Sequence, residues 1–168
     1  MSVVASQSVW YTIVMQTFLP YADFQKSVSV LDSKRLGKQR VETFQVLNIL
    51  LERTESKGWR NHPVTRMWRG YEAALQTYQN FTLTEWIKRG YKNNMSFETI
   101  LIEAKMPSWL GDERVHKSHR SNLLKKNWEH YCQYFANESD IEYYKEFYPD
   151  SYFWPVPNIA KTTKKERK

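Results

Sequence analysis

The chain has 168 residues, of which 25 are Lys or Arg and 18 are Asp or Glu, so its formal net charge is +7. Hydrophobic residues make up 41% and aromatic residues 15%, which predicts one domain with an ordinary core and excludes a disordered chain. The single cysteine, Cys132, excludes a disulfide framework. The positive charge favours an anionic partner, with nucleic acid first and an anionic membrane surface second.

No apolar run approaches the ~20 residues of a membrane span, and the first residues lack the basic region of a signal peptide. We therefore expect an intracellular protein, in the cytoplasm, the nucleus or a virus factory, that is neither secreted nor held in a membrane.

Helical spacing dominates the chain, apart from a strand-like alternation in "WYTIV" near its start. Asp32 is placed to cap a first long helix that runs to about Arg53. Four apolar residues at helical spacing predict its buried stripe: Leu36, Phe44, Leu47 and Leu51. A second helix is expected to start at "NHPVTRMW", with Pro63 in its first turn. Its predicted apolar ridge is Met67, Tyr71, Leu75 and Tyr78.

Four shorter helices complete the prediction. They are "TLTEWIKRGY", stopped at Gly90, "SFETILIEAK", ended by Pro107, "GDERVHKSHRSNLLKKN", starting at Asp112, and "EHYCQYF". The aromatic and proline-rich "FYPDSYFWPVPN" is expected to lie extended on the surface. We therefore predict an all-α, compact single-domain helical bundle with irregular terminal segments: an N-terminal extension over 1–14, the domain over 15–157 and a basic tail over 158–168.

One carboxylate stands among cations in the first long helix. Arg35, Lys38, Glu42 and Gln45 are three and four residues apart and share a face beside the buried stripe, and Arg40 adds a further charge. One interpretation is a solvated face whose ion pairs contribute a few tenths of a kcal/mol each. The other is that DNA phosphates balance the excess of cations, which would place Glu42 beside a sugar or a base.

A second basic cluster lies in "GWRNHPVTRMW", where Arg60, His62 and Arg66 fall at a helix N-terminus, an anion-binding feature. Trp59 and Trp68 flank these cations, and we interpret both rings as core. For Arg60 and His62, a structural role and a nucleic-acid contact are equally compatible with the pattern.

A third cluster is a basic ridge along "DERVHKSHRSNLLKKNWEHY", formed by Arg114, His116 or Lys117, Arg120, and Lys125 or Lys126. His116 and His119 are three residues apart, so that a zinc site with His130 and Cys132 is conceivable. The chain lacks paired C-x-x-C or H-E-x-x-H signatures, and we predict no metal and no other cofactor.

Three stretches resemble the pyrimidine-dimer DNA glycosylase family, small bacterial and viral proteins related to phage endonuclease V. They are "MQTFLPYADFQKSVSVLDSKRLGKQRVETFQVLNIL", "GWRNHPVTRMWRGYEAALQTYQNFTLTEWIKRGY" and "PSWLGDERVHKSHRSNLLKKNWEHY". The resemblance covers roughly residues 15 to 135. It implies a compact all-α, metal-free enzyme, with a monomer favoured, whose partner is damaged double-stranded DNA. The implied activity is cleavage of the glycosidic bond of a pyrimidine dimer, followed by strand nicking through β-elimination.

The family's first long helix carries a leucine, a basic residue, a second leucine and an essential glutamate. In "LDSKRLGKQRVE" these positions are Leu31, Arg35, Leu36 and Glu42. The resemblance therefore gives Glu42 the catalytic role and Arg35 that of a cationic helper near the sugar.

Two arginines of the family pattern are replaced in this sequence. One position holds Val41, with Arg40 a step earlier, and the other holds Gln45. Charge pattern and resemblance together predict the DNA-binding residues Lys38, Arg40, Arg60, His62, Arg66, Arg120, Lys125 and Tyr131.

The family's nucleophile is an N-terminal α-amine, and "MQTFLP" matches the family's own start, which gives Gln16 that catalytic place. Fourteen residues precede Met15, so three possibilities stay open. A trim could expose the amine of Gln16, a lysine such as Lys34 or Lys38 could be the nucleophile, or the protein could carry out no covalent chemistry. The alternative function is a non-catalytic nucleic-acid-binding or packaging protein of the same fold. A third is a structural or interaction protein with no nucleic-acid role.

Overall fold

A computed structural model describes residues 15–56, 58–137, 140–141 and 152–156. The fold is all-α as predicted, since those residues contain helices and no strand. In chain order the helices are α1 (Phe24–Ser29), α2 (Ser33–Leu50), α3 (Pro63–Trp68), α4 (Glu72–Lys88), α5 (Glu113–Lys126) and α6 (Trp128–Phe135). None of these helices is long and apolar enough to cross a membrane. The "WYTIV" alternation, the extension over 1–14 and the tail over 158–168 lie outside the described residues.

The first long helix, α2, begins as predicted. The Asp32 carboxylate accepts a hydrogen bond from the backbone N–H of Arg35 at 2.9 Å and caps the helix. The predicted buried stripe is correct at Leu36 and Leu47, which are fully buried, but wrong at Phe44, which is 39% exposed. Eight helical residues turn the chain about 80° past two full turns, so Phe44 points beyond the edge of the core that Leu36 faces.

The second predicted helix is divided in two. Gly70, with φ at +85°, separates α3 from α4, because that left-handed conformation interrupts a helix. By contrast, "TLTEWIKRGY" is not a separate helix, since α4 continues through it to Lys88. The Thr82 hydroxyl donates to the carbonyl of Tyr78 at 2.9 Å, inside α4, and caps nothing. Gly90, with φ at +84°, follows the end of α4 as expected.

The helix predicted over "SFETILIEAK" is wrong, because residues 96–105 have no regular secondary structure. Glu98 anchors this segment to α4 and to Arg53, which follows the end of α2. Its carboxylate accepts two hydrogen bonds from Arg53, both at 2.9 Å, and its backbone N–H and C=O pair with the Asn80 side chain at 2.8 and 2.9 Å. These contacts hold the chain extended and leave Leu101 and Ile102 exposed by 87% and 72%.

The last two helices are confirmed. Asp112 caps α5 by accepting from the backbone of Arg114 at 3.0 Å, and Asn127 caps α6 in the same way. The short helix α1, capped by Asp23, was not predicted. Residues 152–155, from the aromatic and proline-rich stretch, have no regular structure and pack partly buried against the core.

An extended segment, Gln16 to Pro20, crosses the interior between the helices. Its backbone has no neighbouring strand, and buried side chains from three helices take the hydrogen bonds that a strand would supply. Their donors and acceptors come from Gln39 and Glu42 in α2, Tyr78 in α4, and His116, His119 and Arg120 in α5. This arrangement fixes the start of the domain against the middle of α2.

Candidate active site

Glu42 lies in the middle of α2, beside the extended segment, and only 6% of the residue is exposed. Its Oε2 atom is 3.5 Å from the backbone nitrogen of Gln16, and its Oε1 atom is 3.4 Å from Lys38 Nζ. Burial raises the pKa of the Glu42 carboxyl, while the charge of Lys38, the Gln16 N–H and the charge of Lys126 act to lower it. The carboxyl is therefore easier to protonate than that of an exposed glutamate.

The nitrogen that faces Glu42 belongs to Gln16, the residue to which the resemblance assigns the place of the terminal amine. In the 168-residue chain it is the peptide nitrogen between Met15 and Gln16, and its N–H points to the carboxylate. Met15 is itself buried, with 3% exposure. The residues before Gln16 therefore do not displace this nitrogen from Glu42, but they make it an amide, which is not nucleophilic.

Arg35 is near this site but is bonded elsewhere. Its guanidinium lies 3.4 Å from the Asp32 carboxylate and donates to the backbone carbonyl of Lys126 at 3.2 Å. These bonds join the start of α2 to the end of α5. They bring Lys126 close enough to act on the charge of Glu42.

The solvent face of α2 next to Glu42 carries the exposed residues Lys34, Lys38, Val41 and Gln45. We call these four residues the α2 face. Lys38 is half exposed even though it pairs with Glu42, so its ammonium group can reach a phosphate from this position. Val41 is 48% exposed where the family pattern has an arginine.

Arg40, predicted to bind DNA, does not belong to the α2 face. The residue is 8% exposed, its guanidinium lies 4.3 Å from the centre of the Trp86 ring, and it donates to Asn93 at 3.4 Å. Burial lowers the pKa of Arg40. The ring and the amide contact this cation inside the protein, where its buried Nε has no hydrogen-bond partner.

The cluster around α3 is mainly structural. His62 caps α3, because its Nδ1 accepts from the backbone of Val64 at 3.1 Å, and its ring packs edge-on against Trp59 at 5.0 Å and Trp154 at 5.8 Å. Burial lowers the pKa of His62. Trp68 is fully buried, as expected, and Trp59 is partly buried.

Arg60 and Arg66 are also half-buried. Arg60 lines a polar cavity of about 310 Å³ together with Arg69, Glu52 and Glu72. Acids and bases are therefore mixed at this position, and the cavity does not form a purely cationic site.

Two residues predicted to contact DNA are buried. Arg120 pairs with Asp140 at 3.0 Å and with Glu113, and it donates to the carbonyl of Pro20 at 2.8 Å. Tyr131 is fully buried, and its hydroxyl accepts from the backbone N–H of Asp32 at 3.0 Å. Neither side chain presents a surface to DNA, so the basic ridge predicted along α5 is interrupted at Arg120.

Three other candidate residues of α5 are buried or half-buried. Lys125 is half-buried near the end of α5. His116 and His119, considered above as metal ligands, bind the backbone carbonyl and N–H of Leu19, each at 2.8 Å. The described residues contain no group of three or more His, Cys, Asp or Glu placed to hold a metal ion.

The sequence reasoning missed Gln39, which is fully buried and binds the backbone on both sides of Thr17. Its position, three residues before Glu42, was the only signal, and a glutamine at helical spacing normally indicates a solvated face. The proximity of Lys126 to Glu42 was also missed, because it depends on where the end of α5 lies relative to α2.

Fold and site together define an all-α protein with a buried carboxylate beside a basic helix face and a backbone nitrogen. The family model described as pyrimidine dimer DNA glycosylase matches residues 15–99, which are 85 of the 168 residues. The chain belongs to this family of DNA repair glycosylases, whose substrate is DNA. The match contains Gln16, Arg35 and Glu42 and ends before α5. No curated protein and no solved structure matches the chain.

Proposed function

We propose that this protein is a DNA glycosylase for damaged pyrimidines in duplex DNA, with Glu42 as its catalytic carboxylate and with strand nicking as a second step. The observation that carries the proposal is the 3.5 Å distance between Glu42 Oε2 and the Gln16 nitrogen, inside the segment matched by the family. A carboxylate and a nitrogen held at this distance are the two groups that an amine-dependent glycosylase needs.

The chemistry follows from these two groups. An amine attacks C1′ of the damaged nucleotide, the bond from C1′ to the base breaks, and the base leaves with the bonding electrons. Positive charge develops on the sugar, and the carboxylate stabilises it. Glu42 then moves protons while the sugar ring opens to an imine, and while elimination breaks the C3′–O bond. The raised pKa of Glu42 suits both directions of proton transfer.

Two nitrogens compete for the role of nucleophile. A trim after Met15 would turn the Gln16 amide into an α-amine at the start of the segment that Gln39 holds, and such amines have a pKa near 8, so that a fraction is neutral at pH 7. Lys38 Nζ is 3.4 Å from Glu42 in the full chain, but attack by this amine would require loss of its proton and of its ion pair. We favour Gln16.

The α2 face completes the proposal. Lys34 and Lys38 are exposed on α2, Lys38 beside the carboxylate, and both are suited to bind phosphates, which supply much of the affinity of proteins for DNA. The lesion would have to leave the base stack for C1′ to approach Glu42, because the carboxylate is recessed in the protein.

The test compares the full chain and a chain that begins at Gln16, each on ultraviolet-irradiated and on undamaged plasmid. Glu42→Gln should abolish nicking, whereas Glu103→Gln, which changes an exposed acid on another segment, should leave it unchanged. Borohydride should trap a covalent adduct on damaged DNA, and mass mapping should locate the adduct at Gln16 or at Lys38. Equal nicking by wild type and Glu42→Gln would refute the role of Glu42.

A specific observation favours the non-catalytic alternative: in the full chain the nitrogen beside Glu42 is an amide. A packaging or coating protein would bind damaged and undamaged duplex equally, with an affinity that falls steeply with salt. It would give no borohydride adduct with either chain.

A further inference from the structure

Gln39 is a buried polar side chain whose hydrogen bonds are directed to the start of the domain. It is 0% exposed, in the middle of α2, three residues before Glu42. Its Nε2 donates to the carbonyl of Gln16 at 2.8 Å and to the Thr43 hydroxyl at 2.9 Å, and its Oε1 accepts from the backbone N–H of Phe18 at 2.7 Å. Both amide hydrogens and the oxygen are therefore in use.

This carboxamide imitates one residue of a neighbouring strand. It offers a donor and an acceptor to the C=O of Gln16 and the N–H of Phe18, which is the pairing that a strand would give to an extended chain. The Gln16 carbonyl needs a donor and the Phe18 N–H needs an acceptor, which sets the orientation of the amide, and the second amide hydrogen is donated to the Thr43 hydroxyl. The backbone from Gln16 to Phe18 is thus held in one place relative to α2.

The hydrogen bond to Glu42 is too weak to do this alone. At 3.5 Å the separation of Gln16 N from Glu42 Oε2 is at the limit of a hydrogen bond, whereas the two bonds from Gln39 to the backbone, at 2.7 and 2.8 Å, have ordinary lengths. Among the bonds from α2 to the backbone of Gln16 and Phe18, the two from Gln39 are therefore the short ones.

We propose that Gln39 is a positioning residue, which holds the Gln16 nitrogen at the carboxylate of Glu42. Its effect on catalysis rests on the proposed function, but its effect on the nitrogen is measurable without DNA. Gln79 provides a matched control. It is 1% exposed, lies in α4 and donates one hydrogen bond, at 3.0 Å, to the carbonyl of Arg40, away from Gln16.

The first experiment measures amide hydrogen exchange by NMR in the full chain, for wild type, Gln39→Met and Gln79→Met. Rates at Gln16 and Phe18 are divided by the rate at Val46, a core position of α2, so that a general loss of stability cancels. Gln39→Met should accelerate both amides at least tenfold by this measure, and the pKa of Glu42 should rise further as it loses the Gln16 donor. Gln79→Met should change neither. Equal ratios in the two variants would overturn the proposal.

The second experiment measures cleavage of damaged duplex by the form of the protein that nicks it. Gln39→Met should lower kcat at least tenfold, with KM little changed and with a shifted pH profile, whereas Gln79→Met should retain the wild-type kcat. A Gln39→Met variant with wild-type kcat would overturn the positioning role. If the wild type neither nicks nor forms an adduct, the proposed function fails, and the exchange ratios still decide whether Gln39 holds the nitrogen.

Discussion

Acid is expected to destabilise this protein through His119. The side chain is fully buried in α5, and its Nδ1 accepts the backbone N–H of Leu19 at 2.8 Å. Burial, together with the nearby His116 and Arg120, lowers the pKa of His119 to about 3. A proton on Nδ1 would remove the acceptor of the Leu19 N–H and bury a second positive charge close to Arg120.

The magnitude follows from the difference between the folded and unfolded pKa values. An unfolded histidine titrates near 6.5, so below that pH the unfolded chain binds a proton that the folded chain rejects. Stability that is present above pH 6.5 is then lost as the pH falls, at about 1.4 kcal/mol per unit. Between pH 8 and pH 5 the expected loss from His119 is about 2 kcal/mol.

Other groups contribute with known signs. Burial also lowers the pKa of His116 and of His62, which adds to the loss in acid, whereas the raised pKa values of Glu42 and Asp140 oppose it. The wild type alone therefore reports a sum. Comparison with a variant that changes only position 119 isolates the contribution of His119.

The variant is His119→Gln, which keeps an acceptor for the Leu19 N–H but has no proton to gain. Urea unfolding of both proteins at pH 8, 6 and 5 should show that the wild type loses about 2 kcal/mol more than the variant between pH 8 and pH 5. The difference should develop mostly below pH 6.5. Parallel losses in the two proteins would refute the reasoning, because they would show that His119 binds its proton equally in both states.

Three further outcomes are expected. Lys38→Gln should reduce the slope of log Kd against log salt for duplex DNA by about 1, the loss of one phosphate contact, and an unchanged slope would remove Lys38 from the interface. Glu98→Ala should lower the free energy of unfolding in urea by about 1–3 kcal/mol, because Arg53 and the segment at 96–99 lose their anchor; a change within about 0.5 kcal/mol, as for an ordinary surface position, would contradict this. Glu42→Gln should be at least as stable as wild type at pH 8, since burial disfavours the charged carboxylate, and a clear loss of stability would mark Glu42 as a structural residue.

Helices whose ends carry local signals were predictable from the sequence. Asp32 and Asp112 each cap the helix that follows, and the apolar spacing of α2 and α5 is visible within each stretch of sequence. The errors arose where distant contacts decide. The segment around Glu98 has helical spacing, but its bonds to Arg53 and Asn80, which are far away in sequence, hold it extended. The break at Gly70 depends on one left-handed residue.

The site was predictable only in part, and mainly from the family resemblance. Glu42 and Gln16 lie together as the resemblance implies, although they are 26 residues apart. Arg120 and Tyr131 were predicted to bind DNA from the charge pattern and the resemblance, and His119 was considered as a zinc ligand from its spacing to His116. Here all three are buried and bond the backbone of other segments. Composition gives no sign that a chain contains an extended segment without a neighbouring strand.

That segment explains why so many polar side chains are inside. A buried backbone group without a partner costs about 1–3 kcal/mol, and the chain from Gln16 to Pro20 exposes several such groups to an all-helical interior. Each polar side chain that hydrogen-bonds one of these backbone groups also fixes the register of the segment, because a shift by one residue would leave several groups unpaired at once. The fold thus determines the distance between Glu42 and the Gln16 nitrogen, and a reactive amine could occupy this position with no further loss of conformational freedom.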